Sequence, residues 1–168
     1  GNTSQAVQSK GSTDIFILKV DQNGNTMWVN SYGDIDADQG SQAIVNQSGV
    51  IYIAGIFRGK VDFDPSFEFS NRSESKGGAD VFIAVYNQDG SYNEHFSLGG
   101  VANEQISDFA LRNNGELVST GGFGAIVDFD PTSSDSNIFS TGGLDAFLVN
   151  IFICVNPYIK EVKAVKSE

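Results

Sequence analysis

The chain has 168 residues, rich in glycine (19) and phenylalanine (13), and its formal net charge is −11. This acidic balance argues against a nucleic-acid or anionic-membrane partner, because a phosphate-binding surface needs clustered Lys and Arg. The single cysteine excludes an internal disulfide, and no Cys/His cluster is present to hold zinc. No apolar run reaches the ~20 residues of a membrane-spanning helix.

The chain begins with a polar segment, residues 1–10, which does not resemble a signal peptide. Either a cytosolic protein or an internal part of a longer chain would begin in this way. The next residues favour an internal part, because they open a repeated unit.

The first unit, residues 11–76, is predicted to contain four antiparallel, neighbouring strands joined by tight turns. Gln22-Asn23-Gly24-Asn25 contains an Asn-Gly pair, which predicts a two-residue hairpin turn with positive φ angles, and Ser48-Gly49 predicts a second hairpin. The strands are expected at Asp14 to Asp21, Met27 to Tyr32, Ser41 to Asn46 and Val50 to Phe57.

The unit returns 66 residues later. Residues 11–66 overlie residues 77–132 without a gap, and 18 of the 56 positions are identical. A third copy begins one residue early at Gly142-Gly143-Leu144-Asp145. The sequence therefore predicts repeats at 11–76, 77–141 and, in part, 142–155, with a tail at 156–168.

The first strand of each unit is apolar on both faces. Phe16, Leu18 and Val20 point one way, while Ile15 and Ile17 point the other. Such a strand must be covered on both sides, which radially stacked four-stranded sheets, or blades, provide. The period favours a propeller over a solenoid. We expect an all-β fold, a partial β-propeller of four-stranded antiparallel blades, in which half a blade precedes one complete blade and part of another.

The repeated motifs resemble those of a known family. Gly-Gly-x-Asp-x-Phe, an Asp/Asn-Gly turn, a Gly-x-Phe strand end and Val-Asp-Phe-Asp-Pro are similar to the bacterial SBBP β-propeller repeats, over roughly Gly11 to Phe152. Glu94 departs from the pattern because it stands where the first unit has Trp28. The resemblance implies a large secreted or cell-surface protein, so we expect an extracellular or cell-surface location.

The repeated Val-Asp-Phe-Asp-Pro segments are candidate calcium sites. In an extended strand Asp62 and Asp64 project from one side, about 7 Å apart, and Asp128 and Asp130 repeat them. With backbone carbonyls and water, two such carboxylates can hold calcium. The alternative is structural, with Phe63 as an anchor and the aspartates bonding within a turn.

A second acidic motif, Asp34-Ile-Asp36-Ala-Asp38-Gln-Gly40, resembles the start of a calcium loop. Its glycine comes one place late, and the twelfth position is Val45 rather than glutamate. The alternative is a solvated acidic loop.

Catalytic residues have little support in the sequence. His95 is the only histidine and is predicted to be a half-exposed strand residue. Glu104 and Asp108 are a conceivable glycosidase acid and base. In the tail, the three-residue spacing of Lys160, Lys163 and Lys166 predicts either a short amphipathic helix or a frayed terminus, of which we favour fraying.

From these patterns we expect a non-catalytic scaffold that binds protein or carbohydrate, with adhesion as its task. Two alternatives stay open, a propeller-type polysaccharide hydrolase or lyase and a calcium-stabilised structural spacer. Two and a half blades cannot close a ring. The expected partners are therefore the remaining blades of a longer chain, or further copies of this one, together with a protein or glycan ligand.

Overall fold

In a computed structural model, the structure describes residues 6–66, 70–130, 137–152 and the backbone of 162–165. Within these residues the chain is all β, as predicted, with strands that pair antiparallel. The fourteen strands are β1 Ile15–Val20, β2 Thr26–Tyr32, β3 Gln39–Val45, β4 Ile51–Phe57, β5 Lys60–Asp62, β6 Arg72–Glu74, β7 Asp80–Tyr86, β8 Tyr92–Gly100, β9 Gln105–Leu111, β10 Glu116–Phe123, β11 Ile126–Asp128, β12 Asn137–Phe139, β13 Asp145–Phe152 and β14 Val162–Val165.

The hairpin turns differ from the two-residue turns predicted from Asn-Gly. Each turn encloses three residues, and only its glycine has a positive φ angle. In the first turn the amide of Asp21 donates to the carbonyl of Asn25 (2.9 Å), and that of Gly24 donates to Asp21 (3.0 Å). Three residues are therefore enclosed, and only Gly24 has a left-handed φ, of 82°. The same bonding recurs at residues 46–50, 87–91 and 112–116. A right-handed turn closed by a left-handed glycine matches strand twist as well as a two-residue turn does.

The main sheet is assembled across the boundary between repeats. Its strands lie in the order β12-β11-β8-β7-β4-β3, so β4 of the first unit pairs with β7 of the second along their whole lengths. By contrast, β1 and β2 form a separate two-stranded sheet. The expectation of four neighbouring strands within one unit is therefore wrong. Within this six-stranded sheet, the four longer strands come two from each of two units, β3 and β4 from the first and β7 and β8 from the second.

Two short hairpins were absent from the sequence prediction. They are β5–β6 and β11–β12, and each contains the first two residues of Val-Asp-Phe-Asp-Pro. The second joins the main sheet, where Val127 pairs with Gly100 and Asp128 with Gly99. The Val-Asp-Phe-Asp-Pro segment is thus a strand end followed by a turn.

The tail also adds a strand. Residues 162–165 form β14, which pairs antiparallel with β13 and completes a sheet of order β14-β13-β10-β9. The prediction of a frayed or helical tail is wrong for these residues. A free edge of β13 offers backbone partners to any nearby extended segment, and that outweighed the weak three-residue periodicity.

The main sheet lies between the β1–β2 sheet and the sheet of β9, β10, β13 and β14. One buried cluster joins its residues to those of β9, β10 and β13, and a second joins its other face to β1 and β2. All seven residues of β7 are buried, which confirms that this strand is covered on both sides. In β1 only Ile15 is buried, because nothing described lies on the opposite face of that strand.

A search of the described residues for a long apolar helix that could cross a membrane found none.

Candidate functional site

The carboxylates of the first Val-Asp-Phe-Asp-Pro segment are engaged by protein donors. Asp62 accepts hydrogen bonds from Ser70 Oγ (2.7 Å), the Asn71 amide (2.9 Å) and Arg72 Nε (3.3 Å). Asp64 accepts one from Asn71 Nδ2 at 2.9 Å. Phe63 is fully buried between them. These contacts support the structural interpretation, in which the phenylalanine anchors a turn that the aspartates close.

The ionisation of Asp62 follows from the same contacts. Burial opposes its charge, but the hydrogen bonds from Ser70, Asn71 and Arg72 outweigh burial and lower the pKa of this carboxyl below its ordinary value. Asp62 is therefore held as a charged acceptor.

The second segment repeats this geometry. The Asp130 amide donates to Asp128 Oδ1 at 3.0 Å, as the Asp64 amide does to Asp62 at 3.2 Å. Lys76 lies 3.8 Å from the other oxygen of Asp128. In both copies the first carboxylate bonds the chain two residues on, which turns the backbone instead of leaving it extended. The strand ends at Asp62, but Asp62 and Asp64 both bond Asn71, so the two carboxylates lie on one side, as predicted, and Phe63 is buried.

The three aspartates of the first loop have different environments. Asp34 and Asp36 are exposed, whereas Asp38 is buried and 1% exposed. Asp38 accepts hydrogen bonds from the amides of Arg58 (3.0 Å) and Asp34 (3.3 Å). Burial raises its pKa, against those bonds. The carboxylate of Asp38 thus joins the loop to the end of β4.

Glu104 has the corresponding position in the second unit. It is also 1% exposed, and its Oε2 accepts a hydrogen bond from the amide of Gly100 at 3.0 Å. Its own amide donates to the carbonyl of Ala79, which places it beside Asp80. Burial raises the pKa of both carboxyls, and the charge of Asp80 raises that of Glu104 further. Asp108, by contrast, is exposed, so the two suggested glycosidase carboxylates lie in unlike surroundings.

Across the described ranges, no group of three or more His, Cys, Asp or Glu side chains is placed to bind a metal ion. The carboxylates of Asp38, Asp62, Asp64 and Asp128 instead accept hydrogen bonds from protein amides, a hydroxyl and Arg72, or lie near Lys76. Calcium binding at Asp34, Asp36, Asp38, Asp62, Asp64, Asp128 and Asp130 stays a prediction.

His95 has partners that sequence reasoning missed. Ser73 Oγ lies 2.8 Å from its Nε2, and Tyr92 Oη lies 2.8 Å from its Nδ1. The imidazole packs on Phe63 with centroids 4.6 Å apart, while burial and the charge of Glu94 raise the pKa of Tyr92 to about 12. The Ser73 contact ties the β5–β6 hairpin to β8, while the Tyr92 contact lies within β8 and fixes the other ring nitrogen. Only the Tyr92 contact, three residues away in a strand, lay within the reach of local patterns.

A groove of about 510 Å³ lies between the first sheet and the turn after β7. Lys19 Nζ (2.7 Å) and Trp28 Nε1 (3.3 Å) donate to the carbonyl of Gln88 across it. Trp28 is half-buried, so part of its indole forms the groove wall. The lining residues are Lys19, Met27, Trp28, Asn87, Gln88 and Asp89.

A second groove, of about 560 Å³, separates two equivalent hairpin turns of neighbouring sheets. Asn46 and Ser48 lie on one side, and Arg112 and Asn113 on the other. Arg112 is paired with Glu116 at 2.9 Å. This groove is more polar than the first and has one aromatic wall residue, Tyr52. The turns that border the two grooves have the same backbone hydrogen bonds, but the side chains that line the grooves differ.

No protein-family model matches the chain. It is 27% identical over 143 residues to the regulatory protein FlaEY of Caulobacter vibrioides. The match covers 83% of this chain but only 14% of that protein.

Proposed function

We propose that this chain is part of a non-catalytic β-propeller scaffold of a secreted or cell-surface bacterial protein, and that it binds carbohydrate or protein in the grooves between its sheets. The observation that carries the proposal is that the backbone of the turns around the grooves repeats from unit to unit, whereas the side chains that line the grooves do not. A repeated frame with variable walls suits recognition.

The propeller geometry is supported by the way the sheets are built. The main sheet pairs β4 of one unit with β7 of the next and so ties consecutive units together, and its two faces are covered by the neighbouring sheets. Continued in the same sense, such stacking leads to a ring.

The groove beside Trp28 is the better candidate for a glycan. An indole face offers an apolar platform for a sugar ring, and the amides and carboxylate of Asn87, Gln88 and Asp89 offer polar partners. Trp28 is not shared with the second unit, where Glu94 occupies the equivalent place. The groove beside the first unit therefore has an aromatic wall that the second unit does not repeat.

Fluorescence tests this directly, since Trp28 is the only tryptophan of the chain. We expect a panel of neutral oligosaccharides to include one that shifts or quenches its emission saturably. Arg112→Ala, in the other groove, is the matched control and should bind that sugar equally well. For Trp28→Glu, which introduces the residue found at the equivalent place in the second unit, calorimetry should detect no binding. If no sugar of the panel changes the emission, this groove is not a glycan-binding site.

A further inference from the structure

The aromatic side chain that opens each unit is buried in the second and third units but exposed in the first. Phe82 is 1% exposed and Phe147 8%, whereas Phe16 is 65% exposed. The same holds along the strand, since Leu18 and Val20 are each 48% exposed. Their equivalents in β7, Ala84 and Tyr86, are buried. One face of β1 therefore lacks the cover that its two counterparts have.

In the second and third units, a glycine on the neighbouring strand lies opposite the buried phenylalanine. Gly55 of β4 pairs with Phe82, and Gly121 of β10 pairs with Phe147. A Cβ atom at either glycine would lie 2.7 Å from the Cε1 atom of the opposite ring. The phenyl ring thus occupies the space that a side chain on the neighbouring strand would need.

Two further phenylalanines complete the cover. Phe57 and Phe63 form an edge-to-face pair at 5.8 Å, and Phe63 lies 5.0 Å from Phe82. Phe123 and Phe129 form the equivalent pair at 5.2 Å, and Phe129 lies 5.1 Å from Phe147. In both cases the covering segment reads Gly-x-Phe, five residues, then Phe. Edge-to-face contacts at these distances favour a defined arrangement of the rings.

At its free edge, β1 lacks the neighbouring strand that carries the Gly-x-Phe segment in the other units. In the main sheet β7 lies between β4 and β8, and in the next sheet β13 lies between β10 and β14. In the described residues β1 pairs with β2 alone. The missing neighbour is therefore the one that β4 supplies to β7 and β10 supplies to β13.

We propose that the exposed face and edge of β1 receive a further repeat unit of the same polypeptide, joined ahead of Gly11, which supplies a strand bearing Gly-x-Phe-x₅-Phe with its glycine opposite Phe16. A second copy of this chain does not fit, because its two strands of this kind, β4 and β10, are already paired on that side with β7 and β13. The inference rests on the proposed propeller architecture but not on any ligand.

The chain itself supplies the probe. Ser75-Lys76 precede the second unit as Ser9-Lys10 precede the first, so a copy of residues 33–76 can replace residues 1–10 and keep the natural junction. Amide hydrogen exchange of residues 15–20 is then measured in the extended and the original chains. We expect exchange in β1 to slow at least about tenfold in the extended chain, toward the rate of β7.

The matched control is the same extended chain with serine at the copies of Phe57 and Phe63, in which β1 should exchange as in the original chain. Equal exchange of β1 in all three proteins would overturn the proposal. So would protection of β1 in the original chain that rises with protein concentration, because that would assign the face to a second copy. Sugar binding at Trp28 is measured separately, so failure of one proposal is distinguishable from failure of the other.

Discussion

Glu104 occupies in the second repeat the place that Asp38 holds in the first, 66 residues earlier, although the two side chains differ in length. Each is 1% exposed and accepts a hydrogen bond from the backbone amide four residues earlier, that of Asp34 or Gly100. The amide of each also donates to a carbonyl just before the first strand of its unit, at Thr13 or Ala79. A buried acidic residue at this place is thus part of the repeat architecture. Asp38 is therefore explained by folding, whereas Asp34 and Asp36 beside it are exposed.

Glu104→Gln should stabilise the protein at neutral pH. The pKa of Glu104 is raised on folding, so its stabilising contribution is present below the unfolded pKa of about 4 and is lost as pH rises through the folded pKa. Glutamine keeps an acceptor for the Gly100 amide without the buried charge. We expect a gain of about 1 kcal/mol at pH 7 that shrinks toward pH 4, measured by urea denaturation. Glu74→Gln, on an exposed side chain paired with the exposed Lys60, is the control and should change the free energy of unfolding at pH 7 by less than about 0.5 kcal/mol. A loss of stability of the same size at pH 4 and pH 7 in Glu104→Gln would contradict this explanation.

Phe82→Ala and Phe16→Ala change equivalent positions in different surroundings. Phe82 is buried against Phe57 and Phe63, and we expect its removal to cost about 3–5 kcal/mol in the free energy of unfolding. Phe16 is mostly exposed, so Phe16→Ala should cost less than about 1 kcal/mol. Denaturant titration of both variants measures the difference. Similar losses would mean that Phe16 is covered in solution.

Gly121→Ala tests the space that glycine leaves for the opposite ring. The new methyl group would meet the carbonyl oxygen of Gln105 and the ring of Phe147, and backbone cannot give way as a flexible side chain does. We expect a loss of about 2–3 kcal/mol by thermal melting. Gly142→Ala is the control, since nothing lies within 4 Å of its added Cβ. Equal stability of the two variants would remove the steric argument for the covering glycine.

Asp62→Asn separates the structural role of this carboxylate from calcium binding. Asparagine loses the ion pair to Arg72 and one of the accepting oxygens, which should cost about 1 kcal/mol. We expect the same loss in melts with calcium and with chelator. A calcium-dependent midpoint in the wild-type chain that disappears in Asp62→Asn would instead support the calcium-stabilised spacer.

Much of the fold was predictable because it depends on local sequence patterns, namely turn glycines and the alternation of apolar residues in strands. Gly24, Gly49, Gly90 and Gly115 all have the positive φ that the turns required. The apolar character of both faces of β7 correctly indicated cover on two sides. The surroundings of the candidate site residues were less predictable. Ser73 contacts His95 although the two are 22 residues apart in the chain, and no sequence spacing predicts such a contact. The carboxylate of Asp38 also looked like a ligand, since sequence alone cannot tell a buried acceptor from an exposed one.

The sequence by itself determined the repeat, the strands within it and the glycines of its turns, because strand alternation and left-handed φ angles are properties of a few neighbouring residues. Only the tertiary structure decided that β4 pairs with β7 rather than β2 with β3, and that residues 162–165 extend the last sheet. Backbone donors and acceptors on a strand edge are alike whichever strand offers them. The choice therefore depends on which faces can be buried together, as Phe63 is against Phe82.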